Sequence, residues 1–197
     1  MNPEMNTISK HDELKLMALT WLNNKVTGKG LRGTTEVTLA DGYVADAVAL
    51  CSLQYRFFTQ YTARGYPDAH PFKLNYFACI FEAKASRNDF LSTFNDSDKH
   101  QNRHKPVGNL HWCVTPRGLV DPGELPEFWG LLERSGSGLR ERKRPVLNVL
   151  TESALDTIAH ALLWGIQARR RYLACKQCGR YVAEAVCIRC ARHHKSD

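Results

Sequence analysis

No stretch of this 197-residue chain approaches the roughly 20 consecutive apolar residues that a bilayer span requires, and its N-terminus is polar rather than a hydrophobic leader. These absences point to a soluble, cytoplasmic protein with no membrane partner. No internal repeat is present either, which sets aside solenoid and propeller architectures. Acidic residues are scarce in one region only: residues 134–197 carry 13 Lys and Arg against 5 Asp and Glu, whereas residues 1–133 carry 14 against 15. The net charge of +7 therefore lies in the last third, where it favours an anionic partner such as a phosphate backbone. An apolar content of 43% supplies a real core for one domain of ordinary size.

The seven cysteines do not form a disulfide framework. Cys51, Cys79 and Cys113 stand singly in apolar runs, as small packing residues do. Cys175, Cys178, Cys187 and Cys190 form two C-x-x-C pairs, which fits a reducing compartment and a metal site.

Along the chain, residues 9–22 read as an amphipathic helix, with Leu14, Met17, Ala18, Trp21 and Leu22 at helical spacing and Ser9 and Asp12 as its capping pair. Residues 27–33 read as a Gly-rich link. Residues 36–39 and 43–50 flank Ala40-Asp41-Gly42, a strong hairpin signal. A two-residue loop there puts Glu36 on the face opposite Asp46, and a three-residue loop pairs the two carboxylates across the strands. Residues 52–75 form a long aromatic-rich connection. A third strand over 76–84 leads into a helix capped by Ser86, with Asp89 three positions on. A fourth strand at 110–115, a hairpin around 135–138 and a helix over 151–171 complete an α/β pattern, a mixed sheet flanked by helices.

The chemistry concentrates at the end of the third strand. Because a strand alternates its faces, Glu82 and Lys84 of Glu82-Ala83-Lys84 project the same way. Asp46 sits among Val44, Ala45, Ala47 and Val48, a costly place for a charge unless it is paired or binds a cation. Phosphodiester cleavage needs charge neutralisation at the phosphate and an activated water, which carboxylate-held Mg²⁺ or Mn²⁺ provides. Asp46, Glu82 and Lys84 are the catalytic candidates. Asp46, Glu82 and the Ala83 carbonyl are the metal ligands, with Glu36 and Glu13 as accessory carboxylates. Arg87 and Lys99 are candidate phosphate contacts.

Asp46 followed by Glu82-Ala83-Lys84 resembles the PD-(D/E)xK, restriction-endonuclease-like nuclease superfamily, with Ala45 in place of the proline. The block Glu82-Ala83-Lys84-Ala85-Ser86-Arg87-Asn88-Asp89-Phe90, with Glu36-Val37-Thr38-Leu39, Asp98-Lys99 and Thr115-Pro116, resembles the MmcB-like DNA-repair endonucleases over about residues 11–170. The resemblance implies a restriction-endonuclease-like core over residues 1–171, divalent-metal nuclease chemistry at Asp46, Glu82 and Lys84, and a role in DNA repair or recombination. A non-catalytic nucleic-acid-binding adaptor and a dimeric junction-resolving nuclease are the alternatives.

Residues 172–197 read as a zinc ribbon in which Cys175, Cys178, Cys187 and Cys190 hold Zn²⁺ tetrahedrally, with His193 and His194 in reserve. No thioredoxin-like context surrounds either pair, and so short a tail lacks the apolar surface to fold without metal. Arg169, Arg170, Arg171, Arg180 and Arg189 would present this end of the molecule to a DNA backbone.

Overall fold

The computed structural model describes residues 8–26, 31–39, 42–52, 63–64, 76–94, 106–168, 173–174 and 181–182. Helix α1 (Lys10–Lys25) starts where Ser9 accepts the Asp12 N–H at 3.0 Å, and Asp12 and Glu13 in its first turn suit the positive end of the helix dipole. Its inner face buries Leu14, Ala18, Leu19, Trp21 and Leu22.

Strands β1 (Leu31–Thr38) and β2 (Val44–Ser52) form the expected hairpin. After β3 (Ala63–Arg64) come β4 (Tyr76–Ala83), helix α2 (Arg87–Phe94), β5 (Leu110–Thr115), β6 (Trp129–Ser135) and β7 (Gly138–Lys143). Next are β8 (Leu147–Asn148), helix α3 (Glu152–Ala168), β9 (Leu173–Ala174) and β10 (Tyr181–Val182). One six-stranded sheet runs β1-β2-β4-β5-β6-β7, antiparallel at both edges and parallel across β4-β5-β6. The fold is therefore mixed α+β, with α1 on one face of the sheet and α2 and α3 on the other.

Strand periodicity sorts the core. Phe77, Cys79, Phe81 and Ala83 of β4 face α1, whereas Ala78 and Ile80 face Leu155, Ile158 and Leu162 of α3. Under α1, Trp112 stacks on Phe81 (ring centroids 5.4 Å apart, 11° between planes) and meets Trp21 edge-on at 5.4 Å. Phe90 and Phe94 of α2 pack with Cys113, Trp129 and Leu131 on the opposite face.

Two expectations change. The Gly-rich link at 27–33 is shorter than it reads, because Gly33 lies inside β1. A Cβ there would stand 2.8 Å from Leu19 Cδ2, so this glycine serves the close approach of α1 to the sheet rather than a turn. The connection 52–75 also contains a strand: β3 pairs in parallel with β8 through Ala63↔Leu147 and Arg64↔Asn148.

Candidate active site

The carboxyl end of β4 is where the chemistry collects. The β2–β4 ladder ends at Ala47↔Phe81, which leaves Asp46 facing Glu82 one step further on. There the Asp46 carboxylate takes over from the ladder: Oδ2 accepts the Ala83 N–H at 2.8 Å. On its other side β4 continues with β5, through Ala83↔Val114 and a 2.9 Å bond from the Lys84 N–H to the Val114 carbonyl. The backbone of residues 82–84 is thereby fixed from both sides.

Glu82 and Lys84 are buried, at 2% and 5% exposure, and share one side as alternation requires. Lys84 Nζ lies 3.4 Å from Glu82 Oε2 and 3.5 Å from Asp89 Oδ1. Asp89 belongs to the first turn of α2, and its other oxygen accepts the Ala85 N–H at 3.3 Å. Tyr43, just before β2, donates its hydroxyl to Glu82 Oε1. Burial pushes the Cys113 thiol, beneath the site on β5, far above its ordinary range; its electrostatic neighbours are Lys84, Glu82, Asp89 and Asp46. That one thiol senses all four charges places them in a single cluster.

On the α1 side, Lys15 projects into the sheet with only 3% of its side chain exposed. Its ammonium lies 2.5 Å from Glu36 Oε1, 3.1 Å from Asp12 Oδ1 and 3.8 Å from Asp46 Oδ1. Burial alone would lower the Lys15 pKa, but hydrogen bonds to Glu36 and Asp12 and the nearby charge of Asp46 outweigh it and hold the pKa above its ordinary value. His11, one turn earlier on the same face, brings Nε2 to 3.0 Å from the Ala83 carbonyl oxygen and 3.3 Å from Asp46 Oδ2.

The three-residue reading of the 40–42 loop is the one the register matches. Pairs Thr35↔Ala47 and Val37↔Ala45 set Glu36 opposite Asp46, and Lys15 bridges the two carboxylates. Glu36 has φ +57, a left-handed conformation unusual for a residue with a side chain.

Other candidates stand elsewhere. Both carboxylate oxygens of Glu13 accept from Arg134 of β6, at 2.9 and 2.8 Å, so Glu13 braces α1 against the sheet. Arg87 forms a two-pronged pair with Glu124, in the 3₁₀ turn Pro122–Glu124, and reaches the Leu119 carbonyl at 3.3 Å. Lys99, Arg169, Arg170, Arg171, Arg180, Arg189 and all four cysteines of the tail lie outside the described residues.

Sequence reasoning missed His11, Lys15 and Tyr43. The i, i+4 spacing of His11 and Lys15, beside the apolar positions Leu14 and Ala18, is the signal that could have found them.

Among the described residues, no three His, Cys, Asp or Glu side chains are grouped as a ready-made metal cage. The donor chemistry nevertheless fits a hard divalent cation, since Asp46, Glu82 and the Ala83 carbonyl offer oxygen at one strand end. The charge balance agrees. Five carboxylates (Asp12, Glu36, Asp46, Glu82, Asp89) face two ammonium groups (Lys15, Lys84), leaving three negative charges uncompensated.

No protein-family model matches this chain, and no curated protein does. Among solved structures it is similar to the SPO1766 protein of unknown function from Silicibacter pomeroyi, at 17% identity and a TM-score of 0.54 over 82% of this chain and 92% of that one. At that identity the likeness concerns the fold alone. Among the described residues no helix is long and apolar enough to cross a membrane.

Proposed function

We propose that this chain is a divalent-metal-dependent DNA endonuclease of the PD-(D/E)xK type, akin to the MmcB-like repair endonucleases, acting in the cytoplasm in DNA repair or recombination. One observation carries the reading: Asp46 docks on the backbone of Ala83, between Glu82 and a Lys84 whose ammonium is 3.4 Å from Glu82. A Mg²⁺ or Mn²⁺ ion held there supplies charge neutralisation at the scissile phosphate and lowers the pKa of water.

The protein's own groups do the rest. Asp46 and Glu82 hold the cation, with the Ala83 carbonyl as a third oxygen. Lys84, steadied by Asp89, orients the attacking water and offsets charge developing on the phosphate. Tyr43 keeps Glu82 in place until the cation arrives.

The tail belongs to the same proposal. Strands β9 and β10 pair through Ala174↔Tyr181 and Leu173↔Val182, bracketing residues 175–180 as the two arms of a ribbon bracket a knuckle. Cys175, Cys178, Cys187 and Cys190 hold structural Zn²⁺, and the arginines around them grip the DNA backbone.

A second reading is favoured by the same ion pairs. Glu82 already accepts from Tyr43 and faces Lys84, as it would in a vestigial site of a DNA-binding adaptor. The two readings separate on incubation of the protein with single-stranded, duplex and branched DNA, with Mg²⁺ or Mn²⁺ and with chelator. The nuclease cleaves in a metal-dependent way and loses cleavage, but not binding, on Asp46→Ala, Glu82→Ala or Lys84→Ala. Binding without turnover on every substrate, or turnover indifferent to those substitutions, would overturn it.

A further inference from the structure

We infer that His11 is a ligand of the divalent cation, which makes this centre selective for a borderline transition ion such as Mn²⁺ over Mg²⁺. The inference rests on the reading of Asp46 and Ala83 as a cation site and adds a donor that the D…ExK pattern does not contain.

The geometry points there from the helix side. Ser9 caps α1 and Arg134 clamps Glu13, which fixes the first turn of the helix over the end of β4. His11 Nε2 then meets two oxygens at once, Ala83 O at 3.0 Å and Asp46 Oδ2 at 3.3 Å. An ion bound at about 2.1 Å in octahedral geometry sets its neighbouring donors about 3 Å apart, so these separations are those of donors sharing one coordination shell. A single ring N–H cannot be well aligned on both acceptors, whereas a ring lone pair and two oxygens can converge on one cation.

Charge supports the same placement. Lys15 occupies the Oδ1 side of Asp46, 3.8 Å away, which leaves Oδ2 and the His11 edge as the side open to a metal. A neutral nitrogen among oxygens favours Mn²⁺, Co²⁺ or Zn²⁺, because imidazole suits borderline ions and Mg²⁺ prefers an all-oxygen shell.

The test uses the full chain with its cysteine tail loaded with Zn²⁺, titrated with Mn²⁺ and followed by pulsed electron paramagnetic resonance. The wild type should bind Mn²⁺ in an Asp46-dependent manner and show the nitrogen modulation of a coordinated imidazole. His11→Ala should abolish that modulation, weaken Mn²⁺ at least about tenfold, the lower end of what losing even an outer-shell partner costs, and barely change Mg²⁺ measured by competition. Circular dichroism checks that the variant folds, and the wild-type spectrum stands without it. Asp46-dependent Mn²⁺ binding with no imidazole coupling, or coupling and affinity that survive His11→Ala, would sink the His11 assignment and leave the cation site standing. No Asp46-dependent Mn²⁺ binding at all would remove both.

Discussion

Acid should unfold this protein through one histidine. His111 on β5 is wholly buried, between the rings of Phe128 and Trp129 at 5.3 and 5.2 Å, and burial lowers its pKa to about 3. Its Nε2 accepts the Gly108 N–H at 3.2 Å, which puts the proton on Nδ1, where no hydrogen-bond partner is present. The folded state thus holds a neutral ring that the unfolded chain protonates near pH 6.5. For a histidine whose folded value lies below its unfolded one, the contribution is intact above pH 6.5 and shrinks as the pH falls towards 3. Each pH unit in that window removes about 1.4 kcal/mol, so going from pH 7 to 4.5 removes about 2.5 kcal/mol of a total stability of perhaps 5–15 kcal/mol. Urea unfolding of wild type and His111→Gln at both pH values isolates the effect, since the carboxylates titrate alike in both proteins. The difference between them should change by about 2.5 kcal/mol across the range, roughly 1 M in urea midpoint. An equal difference at pH 7 and pH 4.5 would refute the buried neutral imidazole. Because β5 pairs with β4 at Ile80↔His111 and Glu82↔Cys113, the active site should be lost in the same transition.

Lys15→Met should cost about 1–2 kcal/mol, since it strips charged hydrogen bonds from Glu36 and Asp12, both half-exposed and so partly solvated. The raised pKa of Lys15 means that this contribution is complete below pH 10.5 and fades only as the pH climbs through the still higher folded value, so unfolding at pH 7 and pH 9 should give the same loss. A loss that shrinks between those pH values would mean the ammonium is not held as described. Gly130→Ala should destabilise by about 1–3 kcal/mol, as a Cβ would lie 2.7 Å from both Pro145 Cδ and Trp112 Cδ1 and 2.9 Å from the Lys143 carbonyl oxygen. Calorimetry showing an unchanged melting temperature would mean that β6 and its neighbours part more easily than this packing implies.

Much of this site was legible because its logic is local. Alternation alone puts Glu82 and Lys84 on one side, and the Ser86 cap starts α2 in register to bring Asp89 to Lys84. What was not legible depends on tertiary approach. A lysine in an amphipathic helix normally counts as its wet face, and only the descent of α1 onto the sheet buries Lys15. Gly33 reads as a linker residue because the Leu19 side chain that requires it lies across the helix–sheet interface. Glu36 was open between two registers because alternation fixes a face only after the loop length is known, and its positive φ leaves no mark in the sequence.

These observations explain why one end of one strand carries so much charge in an otherwise apolar sheet. Asp46 and Lys84 occupy positions where the ladder stops on one side of β4 and continues on the other, so the peptide groups of residues 82–84 are both rigid and partly unpaired by strand neighbours. Side chains complete the pairing: Asp46 takes the Ala83 N–H and His11 meets the Ala83 carbonyl. Burying those groups with apolar residues would leave backbone polar atoms unsatisfied, at about 1–3 kcal/mol each. The polar cluster is therefore first a structural answer to a strand that ends inside the molecule. Its excess of negative charge is the part that strand termination does not require, and that excess is what calls for a cation.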